Sequence, residues 1–504
     1  MDENAQREGG RRVARNTLLL YGRMLVLLFI GLYTSRVILK ALGVDDLGIY
    51  STVGDVTAMF AVLSGSLSAA ISRFLTYELG TGRKDRLQQI FSSAVSIQIF
   101  IALVIAAMAE PLGLWFISHK MTIDPERLSA ARWVLHFSII TFAINLISVP
   151  YNAAIIAHER MGAFAWIGIL EGAAKLGVAL MILKASGDRL ILYAGLMCLV
   201  ALAVRLIYGS YCRGRLEECR FSFHMDWRLL GQMFSFAGWN FIGSSAGVIR
   251  DKGGNILINV FCGTAVNGAR GLALQLSGAV QGFANNFMTA LNPQITKSYA
   301  AGEHDYMLKL IFRGARYAFF LLLLIGLPVL LNTDFLVGIW LGEVPAHTVL
   351  FAQLALIFAM SEAMSNPLVT AMLATGNIRD YQLIVGGIQL LNVPISWLLL
   401  RAGYPAECVL VVAIVLSQIS LAARLILLRR MIDLPVGRYL REVWLRIVLV
   451  GLIAWVLPFF CGRLLPDGWA GLIISCLICV IWTAAVIYIG GLNPEERRTI
   501  KERL

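Results

Sequence analysis

The stretch SSAGVIRDKGGNILINVF, residues 244–261, sets Arg250, Asp251 and Lys252 side by side inside an otherwise apolar run. On a soluble protein such a triplet would mark a turn or a solvated helix face. The rest of the chain argues against that. Of 504 residues, 58% are hydrophobic and 15% charged, with mean hydropathy +0.74. An ordinary globular chain is about half apolar and about a quarter charged. Hydrophobic runs of about 20 residues recur along the whole length, the pattern of membrane-spanning helices. The charged triplet therefore has to be read inside a membrane.

Working outward from it, the pattern predicts an all-α polytopic membrane protein with about fourteen transmembrane helices, at 15–41, 47–77, 90–118, 128–156, 163–185, 190–212, 229–260, 264–299, 307–333, 348–375, 382–402, 406–430, 442–464 and 469–492. An even number of crossings puts both termini on one side. With that side cytoplasmic, the inside segments hold about 24 Lys and Arg and the outside loops about seven, the positive-inside asymmetry. Arg11, Arg12, Arg83, Lys84, Arg86, Arg213, Arg215, Arg220 and Arg228 all fall inside. This accounts for much of the formal charge of +12, so no nucleic-acid partner is needed to explain it. The first span is too long for a cleavable signal sequence.

An internal repeat divides the chain. TYELGTGRKDRL (76–87) resembles SYAAGEHDYML (298–308), aligning Tyr77 with Tyr299 and Gly80 with Gly302. PYNAAIIAHERMGAF (150–164) resembles PLVTAMLATGNIRDY (367–381), aligning Pro150 with Pro367, Ala154 with Ala371 and Ala157 with Ala374. The offset is about 220 residues, or six helices, so the copies share one topology. The expected organisation is a tail at 1–14, a six-helix bundle at 15–212 and a basic linker at 213–228. A second, parallel six-helix bundle follows at 229–430, then a basic loop with two appended helices at 431–492 and a tail at 493–504.

Charges at membrane depth cost roughly 2.5–3.5 kcal/mol each on insertion scales, so they face protein or water. Here they are mostly positive: Arg23 and Arg36 in the first segment, Arg73 in the second, Arg250 and Lys252 in the seventh, Arg270 in the eighth. Lys175 and Arg205 add to them, and Arg316 and Arg424 lie near cytoplasmic ends where they can snorkel. The acids are Asp55, Glu78, Glu171, Asp251 and Glu362. Glu171 stands four residues before Lys175, so the two either neutralise each other on one face or serve a cavity. The positive excess reads as a water-filled cationic cavity between the halves, binding an anionic substrate; interhelical ion pairs or snorkelling are the bland alternative. Arginine suits phosphate because its planar fork donates paired hydrogen bonds. Asp55, Glu171, Asp251 and Glu362 are the candidates for coupling to a proton or sodium gradient.

No Walker loop, zinc spacing or nucleophile elbow is present, and the eight cysteines lie in helices or on cytoplasmic segments, so no metal, bound cofactor, disulfide framework or catalytic centre is expected. Cys476-x-x-Cys479 lacks a second ligand pair and reads as packing.

NPQITKSYAAGE (292–303), VPYNAAIIAHERM (149–161), NVFCGTAVNGARGLALQ (259–275) and SRVILKALGVDDLGIYSTV (35–53) resemble bacterial polysaccharide-unit flippases of the O-antigen, Wzx type. These belong to the multidrug/oligosaccharidyl-lipid/polysaccharide exporter superfamily. The resemblance covers nearly the whole chain. It implies two six-helix bundles forming a V in the bacterial inner membrane, with alternating access. The implied substrate is an undecaprenyl-diphosphate-linked oligosaccharide, moved from the cytoplasmic to the periplasmic leaflet for O-antigen (lipopolysaccharide), capsule or exopolysaccharide synthesis. The implied partners are membrane lipids, a polysaccharide polymerase and chain-length proteins. Related lipid II flippases carry cavity cations on their first, second, seventh and eighth helices, where Arg23, Arg36, Arg73, Arg250 and Arg270 stand here. Those relatives use two extra helices as a groove for the lipid tail.

Three readings compete. A multidrug/cation antiporter of the same superfamily would favour an acidic cavity, against the positive excess. A lipid II flippase shares the cavity charge. A membrane glycan polymerase would require a long outside segment, and a scaffold would not need charges buried at membrane depth.

Overall fold

The computed structural model describes residues 3–58, 61–119, 121, 123–220, 227–342, 344–462, 464–466 and 468–501. Within these the chain is helical, with no strand. The helices are α1 (Glu3–Ala58), α2 (Ala61–Thr81), α3 (Lys84–His119), α4 (Leu128–Ala157), α5 (Met161–Leu183), α6 (Arg189–Arg215), α7 (Trp227–Cys262), α8 (Thr264–Ala300), α9 (His304–Leu331) and α10 (Thr333–Leu341). Then come α11 (Thr348–Ala363), α12 (Asn366–Thr375), α13 (Arg379–Leu390), α14 (Asn392–Arg401), α15 (Cys408–Ile432), α16 (Val436–Tyr439), α17 (Leu445–Gly462), α18 (Trp469–Val486) and α19 (Pro494–Lys501).

Among the described residues ten helices are long and apolar enough to cross a membrane, or eleven if the bent pair α11–α12 is one span. The expected count of about fourteen spans is not reached by this criterion of length and hydropathy among the described residues. The segments at 47–77, 229–260 and 264–299 are helical but are not among the ten. α7 and α8 are rich in glycine, serine and asparagine, which lowers their hydropathy.

The chain forms two compact units, Met1–Phe241 and Ile242–Leu504, and the division falls inside α7. The same backbone corners recur in both. Gly43 (φ 78°, ψ 179°) breaks α1, and Gly263 (φ 90°, ψ 172°) precedes α8. Both need a left-handed φ that a Cβ would strain, so glycine ends one long helix and starts the next at a sharp corner. Gly82 and Gly302 each have φ 74°, Glu159 (57°) corresponds to Gly376 (81°), and Gly187 (111°) to Gly403 (87°). All four pairs lie about 220 residues apart. They correct the first alignment by two residues: Gly82, rather than Gly80, has the backbone of Gly302, because only the positive-φ glycine can make the turn.

In unit 1, α1 packs along α5, and α4 lies between α3 and α6. On the loop side Arg127 ties three segments, donating from Nε to Asp46 (2.9 Å) and from Nη1 to Asp188 (2.9 Å). Asp188 also caps α6, accepting from the Leu190 and Ile191 amides at 3.0 and 3.3 Å.

In unit 2, α8 packs against α9, α11 and α12 through a buried stripe of mostly small residues, Ala269, Ala273, Ser277, Val280 and Ala284, which lets the helices approach closely. Ser277 Oγ donates to the Ala355 carbonyl at 3.1 Å across that contact. α11 and α12 are bent by 41° at residues 364–365, and the Met364 carbonyl freed there accepts from the buried Tyr439 hydroxyl at 2.9 Å.

α17 and α18 pack on each other and against α9. The segment that follows α18 is fastened to α9 electrostatically. Arg316 of α9, expected to snorkel, is instead 2% exposed and donates to Glu496 (2.7 Å) and to the Gly491 carbonyl (3.0 Å). Arg313 reaches the same carboxylate at 3.1 Å, and Glu496 accepts from the Asn493 amide at 2.7 Å. Arg424 is buried too, beside Tyr381. Both arginines stay inside because protein groups meet them before the headgroup region does.

Removing one partner of a buried ion pair leaves the other uncompensated, at roughly 3 kcal/mol or more. Glu496→Ala is therefore expected to lower the thermal unfolding midpoint of the detergent-purified protein by several degrees, while Arg313→Ala, whose side chain is half-exposed, costs much less.

Candidate cationic site

The expected cations separate into held and open groups. In unit 1, Arg23 stands on α1 with its guanidinium 4.3 Å from the Phe164 ring of α5. It crosses Gly168, where a Cβ would clash with its Nε, and that Nε has no hydrogen-bond partner among the described residues. Arg73 on α2 lies among three rings, Tyr77 (4.7 Å), Phe74 (4.8 Å) and Phe236 (5.8 Å). Both are stacked on aromatic faces, which hold a cation without discharging it. Arg36 is exposed on the face of α1 that also exposes Phe29, Leu32 and Tyr33, with no ion pair among the described residues.

In unit 2 the opening triplet resolves into three environments. Arg250 donates from Nε to Asp251 at 2.9 Å and lies 4.9 Å from the Phe358 ring. Arg270 on α8 is 3% exposed and turns back onto α7, where its Nη1 donates to Asn255 Oδ1 and to the Asp251 carbonyl (3.4 Å). Gly254 makes room, since a Cβ there would lie 3.2 Å from Arg270 Nη2. Arg270 therefore pins α7 to α8 and does not face an open cavity. Lys252 is exposed with no ion pair among the described residues.

The acids divide in the same way. Glu171 accepts from Lys175 at 2.6 Å, which selects the ion-pair reading of that spacing. The Asp251 side chain is 57% exposed but engaged by Arg250. Glu362 lies at the α11–α12 bend, half-buried, near Tyr381. The Asp55 side chain lies outside the described residues.

The placement of the neutral polar residues of α7 and α8 is informative. Ser244, Lys252 and Asn259 are exposed on α7 among apolar neighbours such as Val248, Ile256 and Val260, whereas Thr264, Gly268, Gly271, Gln275, Gly278 and Asn285 form a continuous exposed stripe on α8. A helix face of this kind is unsuited to lipid, and it suits water or a hydroxyl-rich ligand. Sequence reasoning missed one feature outright. His347, at the left-handed φ of 72°, lines a cavity of about 420 Å³ with Gln353 and Glu407, and its Nδ1 lies 2.6 Å from the buried Glu407 carboxylate. Nothing in the spacing of residues sixty positions apart announces that pair.

Accessibility separates the two groups. In membranes, a cysteine at Lys252 should react readily with a hydrophilic maleimide and one at Arg270 should react at least tenfold more slowly, as expected for a site 3% exposed. Equal labelling rates would remove Arg270 from the helix interface.

Comparison with known proteins accords with this architecture. The chain resembles the uncharacterized membrane protein EpsK of Bacillus subtilis (strain 168), 20% identical over 326 residues, and the match spans 63% of each chain. Among solved structures it resembles an outward-facing multidrug resistance MATE family transporter of the MOP superfamily (TM-score 0.73, 12% identity, 84% of this chain and 96% of that one). The Vibrio cholerae MATE transporter VcmN is similar, with TM-score 0.69 and 16% identity over 85% and 99% of the two chains. At these identities the likeness establishes the fold. Residues 13–299 match the family described as polysaccharide biosynthesis protein. This multi-pass membrane protein, built on the MATE transporter fold, belongs to the polysaccharide biosynthesis protein family.

Proposed function

We propose that the protein is an inner-membrane flippase, with both termini cytoplasmic, that moves undecaprenyl-diphosphate-linked oligosaccharide units to the periplasmic leaflet by alternating access. The observation that carries this reading is the exposed polar and glycine-rich stripe of α8, with Lys252 exposed on the neighbouring α7. Lys252 of unit 2 has no ion pair among the described residues and is available to a diphosphate; Arg36, considered within unit 1 alone, is likewise exposed and without an ion pair among the described residues. The amides and hydroxyls of Asn259, Gln275, Asn285 and Thr264 suit sugar hydroxyls. Arg250 and Arg270 shape the face from behind, and Arg23 and Arg73 keep their charge on aromatic supports. α17 and α18 serve as the surface for the polyprenyl chain. Family membership favours a saccharide-lipid substrate over a multidrug cation, which an open cationic face would repel. Glu362 is the preferred coupling acid for a proton or sodium gradient, because Glu171 and Asp251 are already paired.

The test is transport in proteoliposomes with labelled undecaprenyl-diphosphate oligosaccharide, reading leaflet exposure with a membrane-impermeant glycosidase. Lys252→Ala and Arg36→Ala should each slow flipping about tenfold, the worth of a hydrogen bond to a charged group, without moving the unfolding midpoint. Wild-type activity in both variants, or efflux of a lipophilic cation in place of glycolipid flipping, would reject the reading.

A further inference from the structure

We infer that unit 1 carries a binding site for the phosphate headgroup of an anionic phospholipid, at the basic end of α6. A cavity of about 580 Å³ opens there, lined by Arg205, Gly209, Ser210 and Arg213 of α6 with Tyr151 of α4 and Cys219 of the segment after α6. It lies wholly within unit 1 and shares no residue with the cationic face proposed for transport.

Its chemistry is that of an anion site. The Arg205 guanidinium lies 3.8 Å from the Tyr151 ring centroid, and its buried Nε has no hydrogen-bond partner. Side chains on a helix ordinarily lean toward its N-terminus. Arg205 does the reverse: its Nη1 sits where a Cβ on Gly209 would come within 2.8 Å, one turn nearer the basic end of α6. Glycine at 209 permits that course, and the result is a cation reaching from within the apolar span toward headgroup level. Arg213, one further turn along, is exposed, and so is Ser210. Glu218, beside the lining Cys219, does not compete. Burial pushes the Glu218 carboxyl up, but the His158 hydrogen bond, a backbone hydrogen bond and the charges of His158 and Arg160 together bring it below its ordinary value, and its carboxylate is engaged by His158.

The surroundings select the occupant. Leu199, Leu202 and Leu206 are exposed on α6 above and beside the cavity, on an apolar span. They form a surface for acyl chains, directly above a pair of arginines and a hydroxyl. The excess of basic residues assigns this end to the cytoplasmic side, where basic pockets between membrane helices take anionic headgroups. A water-soluble anion would have no use for the leucines, and a zwitterionic headgroup would gain little from two arginines.

Full-length protein in detergent should be titrated with phosphatidylglycerol, with phosphatidylcholine and with a polyprenyl diphosphate, and bound lipid counted by native mass spectrometry. Phosphatidylglycerol should bind in preference to phosphatidylcholine. Arg205→Gln and Arg213→Gln should each weaken it about fivefold, the effect of one basic residue at an anionic surface, whereas Arg430→Gln, outside the cavity, should not. Ser210→Trp fills the cavity from an exposed position without removing charge, and should weaken binding even if the arginine variants fold poorly. Equal binding of the two phospholipids, or unchanged phosphatidylglycerol binding by Ser210→Trp, would overturn the assignment. So would dependence of polyprenyl diphosphate alone on Arg205 and Arg213, which would make the cavity a substrate site. Because the readout is lipid binding, failure here is distinguishable from failure to flip a glycolipid.

Discussion

A guanidinium or carboxylate in hydrocarbon must find a partner, and so must any backbone carbonyl that a bend leaves open. Much of the architecture can be traced to how those needs are met. Three devices recur. Arg23, Arg73 and Arg205 lie on aromatic rings. Arg270 hydrogen-bonds to neutral acceptors on the neighbouring helix, and Arg316 meets a carboxylate brought from the far end of the chain. The first keeps the positive charge available, the second crosslinks two helices without neutralising it, and the third cancels it. A membrane protein that binds an anion has use for all three at once, because charge must be retained at the site and silenced elsewhere.

The bent helix follows the same logic. Breaking α11–α12 at mid-span exposes the Met364 carbonyl, and the chain answers with a buried tyrosine hydroxyl from α16. The break also sets Glu362 at a place where the backbone is irregular, beside Tyr381 and Arg424. Small residues complete the arrangement: at Gly168 and Gly209 an arginine side chain occupies the space a Cβ would take, and at Gly254 a Cβ would press on Val409 and Arg270. Their value is close approach, and none of the three has a positive φ.

Most of the long helical segments were legible in the sequence, because an apolar run at membrane depth must satisfy its own backbone bonds. The two-fold organisation was legible as well, though its register was not. Tyr77 and Gly80 aligned plausibly with Tyr299 and Gly302, yet the structure pairs Gly82 with Gly302, since a left-handed turn cares about φ and a sequence match does not report it. The candidate site was legible only as a set of residue types. Arg250 and Lys252 are neighbours in sequence and end in different environments, one paired and stacked, the other open. Helix geometry turns adjacent residues about 100° apart, so adjacency in a charge run says little about shared surroundings.

What the sequence by itself determined is the solvent the chain must live in, the helices that result, and the surplus of positive charge they carry. These follow from transfer free energies that act residue by residue. What only the tertiary structure decided is which charges are spent and which remain. That Glu496 would reach Arg316, that Asn255 would receive Arg270, or that His347 would meet Glu407 depends on contacts across 180, 15 and 60 residues. A partner of that kind is chosen by packing in three dimensions, where one turn of a helix or one missing Cβ decides whether a cation is buried, crosslinked or left free to bind.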